Sequence, residues 1–533
     1  MPSFCLPASA PSTSPRQHKH PLRAHLNVSL RRRLGAALVG LASALLPLAP
    51  VAPARALEEI VVYLPLVETG FTLKVSELSS PAALRNGSSD LAELDRATNG
   101  AVGRQLWEVL NQPVPLSFTH IVDGSVGSPL VEQALLVINS FGQVEGQQPD
   151  LTGEKLREAL DRASAKGKPT LLNLIEALPG DRLRLDLTMA KELANRMVTQ
   201  RDEAERLLAS LPPVPAPATP IPPGGAVTIK TVILPVAHRK APLELVVVEP
   251  QVPGNGRLVL ISHGLWDDPR SFVGWGKLLA SRGYTVILPR HPGSDSSQQQ
   301  AVLAGKAPPP SPKELALRPL DLKAAIDQVG ALGLRSKVNN QQVVVLGHSW
   351  GGTTVLQLAG VRPMEANLLK RCDELTDPNR NLSWTLQCSW LQGVSQAAIS
   401  DRRVIAVGAV SPPASLLFPK GAADQMTGRV LLVSGSRDWV VPPDPESIDP
   451  MRSAHRRGNQ LVLVSGGDHF NLRPEDQADG GTLGPLLLAW TEAAFAAGEG
   501  ARPSPNAPPL LVGGAWGNAA MPMVEATRAV REP

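Results

Sequence analysis

A mostly parallel α/β sheet with helices on both faces, preceded by a smaller and mainly helical domain, is the architecture that this sequence predicts. Three observations predict it. Eight short β-branched runs alternate with helical stretches beyond residue 225. One of those runs enters a glycine-flanked serine and leaves it as a helix. A proline-rich stretch, Leu211 to Gly225, separates this half from a helical texture before it.

The first 56 residues carry Arg16, Lys19, Arg23, Arg31, Arg32, Arg33 and Arg55 and no acidic side chain. An uncharged apolar run extends from Leu34 to Val51, and Ala54-Arg55-Ala56 supplies a small-x-small site. The segment is therefore expected to be an export signal whose removal leaves Leu57 first. A membrane anchor is the competing reading, but Pro47 and Pro50 interrupt a run already short for a span of about 20 residues. The arginine triplet admits a twin-arginine route, although the residues after it fit that motif poorly. The expected destination is the periplasm or the extracellular space, with a thylakoid lumen as the alternative. Without the leader, the 52 basic side chains fall to 45 against 48 acidic ones, so the pI of 9.0 gives no electrostatic case for nucleic acid.

Cysteine use fits export. Cys5 lies in the leader, while Cys372 and Cys388 share one short segment and are expected to pair in an oxidising compartment; two free thiols are the alternative. Two thiols with no nearby His do not complete a tetrahedral metal shell, and neither metal nor cofactor is expected.

Hydrophobic residues make up 43% of the chain and charged residues 19%, enough apolar side chain for folded domains. Residues 57–210 read as a helical accessory domain. Leu156, Ala159 and Leu160 follow a cap candidate at Thr152, Leu171 to Leu178 recur at helical spacing, and Met189 to Leu211 reads as one long amphipathic helix. A short strand is expected within Ile60 to Leu66. No cluster of catalytic residue types occurs here. Residues 211–225 form the linker, 226–498 the catalytic domain, and 499–533, rich in Gly, Pro and Ala, a poorly ordered tail.

The strands expected in the catalytic domain are Thr228 to Val236, Leu243 to Glu249, Leu258 to Ile261, Thr285 to Leu288, Val343 to Leu346, Val404 to Val410, Val430 to Val433 and Leu461 to Val464. Continuous apolar runs of this kind mark a parallel sheet buried on both faces; the first two, close together, suit an antiparallel lead-in.

The central motif is Val343-Val-Val-Leu-Gly347-His-Ser349-Trp-Gly351-Gly352. Gly-x-Ser-x-Gly alone is weak, because Gly and Ser are common. The strand before it and the helical pattern after it sharpen it: a nucleophile on a tight strand-to-helix turn needs glycines where side chains would collide. An acid and a His must then follow in that order. Asp438 lies just past the strand Val430 to Val433, and His469 just past Leu461 to Val464, so both reach the strand ends where open α/β sheets keep their sites. Asp444 and Asp449 are read as solvated loop acids, Asp468 as pointing elsewhere, and His455 as lying on the wrong side of its strand. Ser349, His469 and Asp438 thus form a candidate nucleophile, base and orienting acid.

An oxyanion needs two donors. The amide of Trp350, after the nucleophile, supplies one, and the loop Ser262-His-Gly-Leu265 offers that of Leu265. His263, His291 and His348 are read as structural. Residues 362–401 form an apolar insertion with Trp384 and Trp390, expected to cap the site and line an acyl pocket, although a packed helix pair would show the same residues. Ser294 to Pro312, rich in Gln and Pro, reads as a flap.

Together, Ile261-Ser-His-Gly264, Leu288-Pro-Arg-His-Pro-Gly-Ser-Asp295, Gly347-His-Ser-Trp-Gly-Gly352 and Gly466-Gly-Asp-His-Phe470 resemble the platelet-activating-factor acetylhydrolase and dienelactone-hydrolase-like branch of the α/β-hydrolase fold. The likeness covers roughly Leu243 to Ala497. Dienelactone hydrolases use a Cys nucleophile, from which Ser349 departs. Ala56-Leu-Glu-Glu-Ile-Val-Val-Tyr63, and the stretch from Leu156 to Asp181, resemble exported cyanobacterial hydrolases in which a helical domain of unknown function precedes the catalytic one. The resemblance implies hydrolysis of carboxylic esters, with lipid or phospholipid esters as the substrate class and peripheral membrane contact admitted. A peptidase or amidase with the same triad, and a non-catalytic binding protein on the scaffold, remain as alternatives.

Overall fold

The computed structural model describes residues 57–530 except 65–69, 115, 166, 219–223, 455–456 and 475. The expected export signal and His455 lie outside the described residues.

The first domain is not purely helical. Strands β1 (Glu59–Tyr63), β2 (Phe71–Lys74), β3 (Gly142–Val144) and β4 (Arg182–Asp186) form a sheet in the order β2-β1-β4-β3, in which only β1 and β4 run parallel. β4 alternates Arg182, Leu183, Arg184 and Leu185, a half-buried strand pattern obscured by its high charge. The sheet carries a small core of Leu57, Ile60, Leu84, Leu91 and Leu172.

The second sheet holds nine strands: β5 (Val227–Leu234), β6 (Leu243–Pro250), β7 (Arg257–Ser262), β8 (Thr285–Pro289), β9 (Asn339–His348), β10 (Val404–Val410), β11 (Arg429–Gly435), β12 (Gln460–Val464) and β13 (Met523–Glu525). Their order is β13-β12-β11-β10-β9-β7-β8-β6-β5. The six strands from β8 to β12 are parallel, while β5 and β6 close one edge antiparallel and β13 the other. Residues alternate between two cores. Val343 and Val345 of β9 face the helices Glu314–Asp327 and Trp350–Leu358, while Val344 and Leu346 face Val273–Ser281 and Gly484–Ala497.

Four sequence expectations need correction. The tail is ordered through residue 530: β13 pairs with β12, Met523 and Trp516 are buried, and the Val214 amide donates to the Met523 carbonyl. A strand of three residues in a Gly- and Pro-rich segment has too little local signal to be seen before its partner is known. The expected single helix from Met189 to Leu211 is two, Leu187–Thr199 and Asp202–Ser210. The break is held from outside: the Gln200 amide group donates to the Pro378 and Arg380 carbonyls, and the Asp444 carboxylate accepts from the Glu203 and Ala204 amides. Asp444 is therefore a capping group for the second helix, not a solvated loop acid. That helix buries Ala204 and Leu207 in the core of the large sheet, so packing does not divide the chain at the proline-rich stretch; residues from 55 onward form one compact unit.

Candidate active site

β9 runs directly into Ser349, whose φ of 54° and ψ of −125° lie where few L-residues are found, and the helix Trp350–Leu358 starts at the next residue. The flanking glycines are steric requirements. A Cβ on Gly347 would stand 2.2 Å from the Gly351 carbonyl oxygen, and one on Gly351 would stand 2.0 Å from that of Ser262. The turn is pinned by the Ser349 amide, which donates to the Val410 carbonyl at 2.9 Å.

Asp438 and His469 meet past the ends of β11 and β12. His469 Nδ1 lies 2.9 Å from Asp438 Oδ2, and Asp438 Oδ1 accepts from the Val440 and Val441 amides. Both side chains are almost closed to solvent. With Nδ1–H held by the carboxylate, Nε2 is left as the basic nitrogen. His348, next to Ser349, packs against this pair: its ring lies 4.8 Å from that of His469, and its Nε2 is 2.9 Å from the His469 carbonyl oxygen. Burial holds the His348 imidazole well below its ordinary pKa, so it is a neutral spacer. Among the described residues nothing hydrogen-bonds to the Ser349 hydroxyl; nucleophile–base bonds of this kind are often long before substrate arrives.

Gly264 lies against Ser349, since a Cβ there would stand 3.2 Å from Ser349 Cβ. Leu265 follows Gly264 in this turn, and the Leu265 and Trp350 amides have no acceptor among the described residues. The loop continues through Trp266, whose φ is 56° and whose amide and indole donate to Ser294 and Gln298 at 2.7 and 2.6 Å. The expected flap is thus a helix, Ser296–Leu303, tied to the loop that holds Gly264 and Trp266.

Behind the loop lies a polar network absent from the expected site residues. Arg318, fully buried, donates to the His263 carbonyl and, at 2.9 Å, to the Ser294 hydroxyl; its guanidinium sits 4.9 Å from the Trp350 ring centre. His263 Nε2 accepts from the His291 amide, and His291 joins Ser262 to Asp321. Arg239 completes the cluster by pairing with both Asp321 and Glu314. Burial would raise Asp321, but hydrogen bonds from His238, His291 and Arg239 overcome it and hold the carboxyl below its usual range. Burial pushes His291 down to about 3 and Arg318 to about 9. The signal was present in the sequence: Glu314, Arg318 and Asp321 are spaced i, i+4, i+7, a polar stripe on a helix that otherwise reads as core.

Trp384 and Trp390 are not pocket walls open to solvent. Both are buried, Trp384 against Arg371 and Arg380, and Trp390 with its ring 5.1 Å from Trp350. The insertion packs as a layer of the core because a buried carboxylate draws it in: Glu446 accepts from Asn381, Ser383 and Gln387 of the insertion and from the Ala414 and Ser415 amides. A disulfide between Cys372 and Cys388, Cα atoms 5.6 Å apart, closes it. A disulfide accords with an oxidising environment. Among the described residues no three His, Cys, Asp or Glu side chains are grouped as metal ligands.

Two family models match the chain. One, described as the alpha/beta hydrolase fold, matches residues 257–372, from β7 through Ser349 into the insertion. The other, described as an alpha/beta hydrolase of unknown function (DUF1400), matches residues 56–186, all but the first of them in the first domain. The chain has the α/β-hydrolase fold. None of the curated proteins matches it.

Proposed function

We propose that this hydrolase is an exported serine carboxylic-ester hydrolase acting on lipid esters, with Ser349 as nucleophile, His469 as general base and Asp438 as its orienting acid. The observation that carries the reading is the strained Ser349 on its strand-to-helix turn, with an Asp438–His469 pair 2.9 Å apart beyond the neighbouring strands. Substrate binding would turn the Ser349 hydroxyl toward His469 Nε2. As Ser349 Oγ attacks the ester carbonyl, His469 takes its proton, and Asp438 stabilises the imidazolium. The Leu265 and Trp350 amides receive the developing oxyanion. The alkoxide leaves with the proton from His469, giving an acyl-enzyme; water activated by the same imidazole then releases the acid and restores Ser349.

The preference for lipid esters is supported by the rim. Trp439 and Phe470 directly follow Asp438 and His469 and are 44% and 52% exposed, apolar surface beside the reacting groups that suits an acyl chain or a membrane surface. The likeness to the platelet-activating-factor acetylhydrolase branch points to the same class. Export is supported by the leader and by the disulfide.

A fluorophosphonate probe should label the protein at Ser349, and Ser349→Ala should abolish both labelling and p-nitrophenyl ester hydrolysis. Asp438→Asn should keep the fold and lose turnover by on the order of 10⁴, through the wrong imidazole tautomer. Labelling that persists in the alanine variant would remove the assignment.

A further inference from the structure

The first domain contains a cavity of about 300 Å³ away from Ser349, between the helix Pro129–Phe141, strands β3 and β4, and the segment from Gln147 to Leu156. Its interior is apolar, with Leu135, Ile138, Phe141, Leu156, Leu183 and Leu185 on its walls. The polar groups at its edge are neutral or hydrogen-bonded, and one of them is a cation. Asn139 donates to the Leu135 and Asp150 carbonyls, and the Asp150 carboxylate accepts from the Gly153 and Leu156 amides at 2.9 Å. Lys155 contacts only the neutral oxygens of Gln147 and Gln148; among the described residues it has no carboxylate partner, and it is the one cation on the lining.

We propose that this cavity binds a single medium-chain carboxylate, its chain in the apolar interior and its head group at Lys155. Volume sets the chain length. A methylene is about the size of a water's share of the liquid, about 30 Å³, so the space holds roughly ten carbons. Charge sets the head: among the described residues Lys155 is the cation at the mouth and complements an anion, and Asp150, the acid on the lining, is already held by two amides. The concave shape fits a chain better than the flat face of a protein partner. The helix Pro129–Phe141, one wall of the cavity, also packs on the insertion helix Leu382–Ser389, so an occupied cavity would brace the insertion. The inference rests on the proposed ester hydrolysis only for the source of its ligand, since such a reaction releases carboxylates; binding itself needs no Ser349.

The test is calorimetric titration of the full chain with sodium hexanoate, octanoate, decanoate and tetradecanoate, and with decanol. Affinity for one site should rise about four-fold per added methylene up to about ten carbons and then level off. Leu183→Trp, which fills the cavity, should abolish binding. Lys155→Ala, at a partly exposed side chain that leaves the core intact, should weaken decanoate about ten-fold and leave decanol unchanged. Protein blocked at its nucleophile with a fluorophosphonate should bind as before. Native mass spectrometry with a deuterated decanoyl ester and unlabelled decanoate identifies whether the bound chain comes from the reaction or the bulk; either isotope on the wild type, and neither on Leu183→Trp, supports the site. Absence of saturable binding, equal binding by the Lys155 variant, or loss of binding on fluorophosphonate treatment overturns the proposal. Failure of the proposed hydrolysis would show separately, as absent probe labelling with decanoate binding intact.

Discussion

Arg318 offers the sharpest separation of architecture from catalysis. Its guanidinium joins three things: the carbonyl of His263, just before the Gly264 turn; the Ser294 hydroxyl, on the loop that receives the Trp266 amide; and the indole of Trp350, whose amide is the second donor proposed for the oxyanion. Arg318→Lys keeps the charge beside Glu314 and Asp321 but cannot point donors in two directions and stack at once. Each charged hydrogen bond contributes about 1.5–3 kcal/mol and a desolvated cation–π contact about 2, so losing one of them should cost about 2 kcal/mol of stability. Arg318→Met removes the cation from a buried ionic cluster, at about 3–5 kcal/mol. The catalytic effect is distinct, because a displaced oxyanion donor costs about 10²- to 10³-fold in kcat. Steady-state kinetics on p-nitrophenyl acetate and thermal unfolding of the lysine variant should show kcat down by at least ten-fold with KM nearly unchanged. A lysine variant that melts early but keeps its kcat would refute the coupling, and would mean that the Leu265 and Trp350 amides are held by the backbone alone.

Reducing or replacing the Cys372–Cys388 bridge, 16 residues apart, should cost about 3 kcal/mol in the chain-entropy account, read as a lower denaturant midpoint for the Cys372→Ser, Cys388→Ser double variant; an unchanged midpoint would contradict it. Burial, with the nearby Glu203 and Asp449 carboxylates, raises Asp444 to about 6 against the backbone bonds that lower it, so the native chain holds this proton more tightly than the unfolded chain. Its contribution to stability is therefore fully present below about pH 4 and falls as pH rises through 6, by about 1–2 kcal/mol after discounting its partial exposure. The unfolding free energy of the wild type minus that of Asp444→Asn should accordingly be larger at pH 4.5 than at pH 7.5, and a pH-independent difference would contradict it. Trp390→Ala, at a ring packed on Trp350, should lose activity equally on acetyl and hexanoyl esters and cost about 3–5 kcal/mol, whereas a loss confined to long chains would restore the acyl-pocket reading.

The parts of this fold that could be read in advance are those whose signal is local. The strand, turn and helix around Ser349 follow from four consecutive apolar residues and three glycines, and all eight expected strands of the large sheet are present. What escaped depends on partners far away in the chain. β13 is a strand only because β12 offers an edge; the helix break near Gln200 exists because Pro378, Arg380 and Asp444 receive it; Trp384 looks like a pocket residue until Glu446 pulls the insertion inward. β4 was hidden for a different reason. Its alternation puts arginine on every solvent position, and Arg182 and Arg184 resemble a charged helix face until Leu183 and Leu185 are seen to share one side.

The antiparallel strand Met523–Glu525 also covers one edge of the large sheet. Without it, β12 has one row of amides and carbonyls open to any passing strand, the geometry from which edge-to-edge aggregates grow. The same short piece accepts the Val214 amide, and Gly517 packs against Val214 and Pro215, so the connection from the first domain is fastened to it as well. A chain cut short before Met523 would keep Ser349, Asp438 and His469 and still be a hazard to its neighbours. The guard against that pairing thus lies far along the chain from the residues around Ser349.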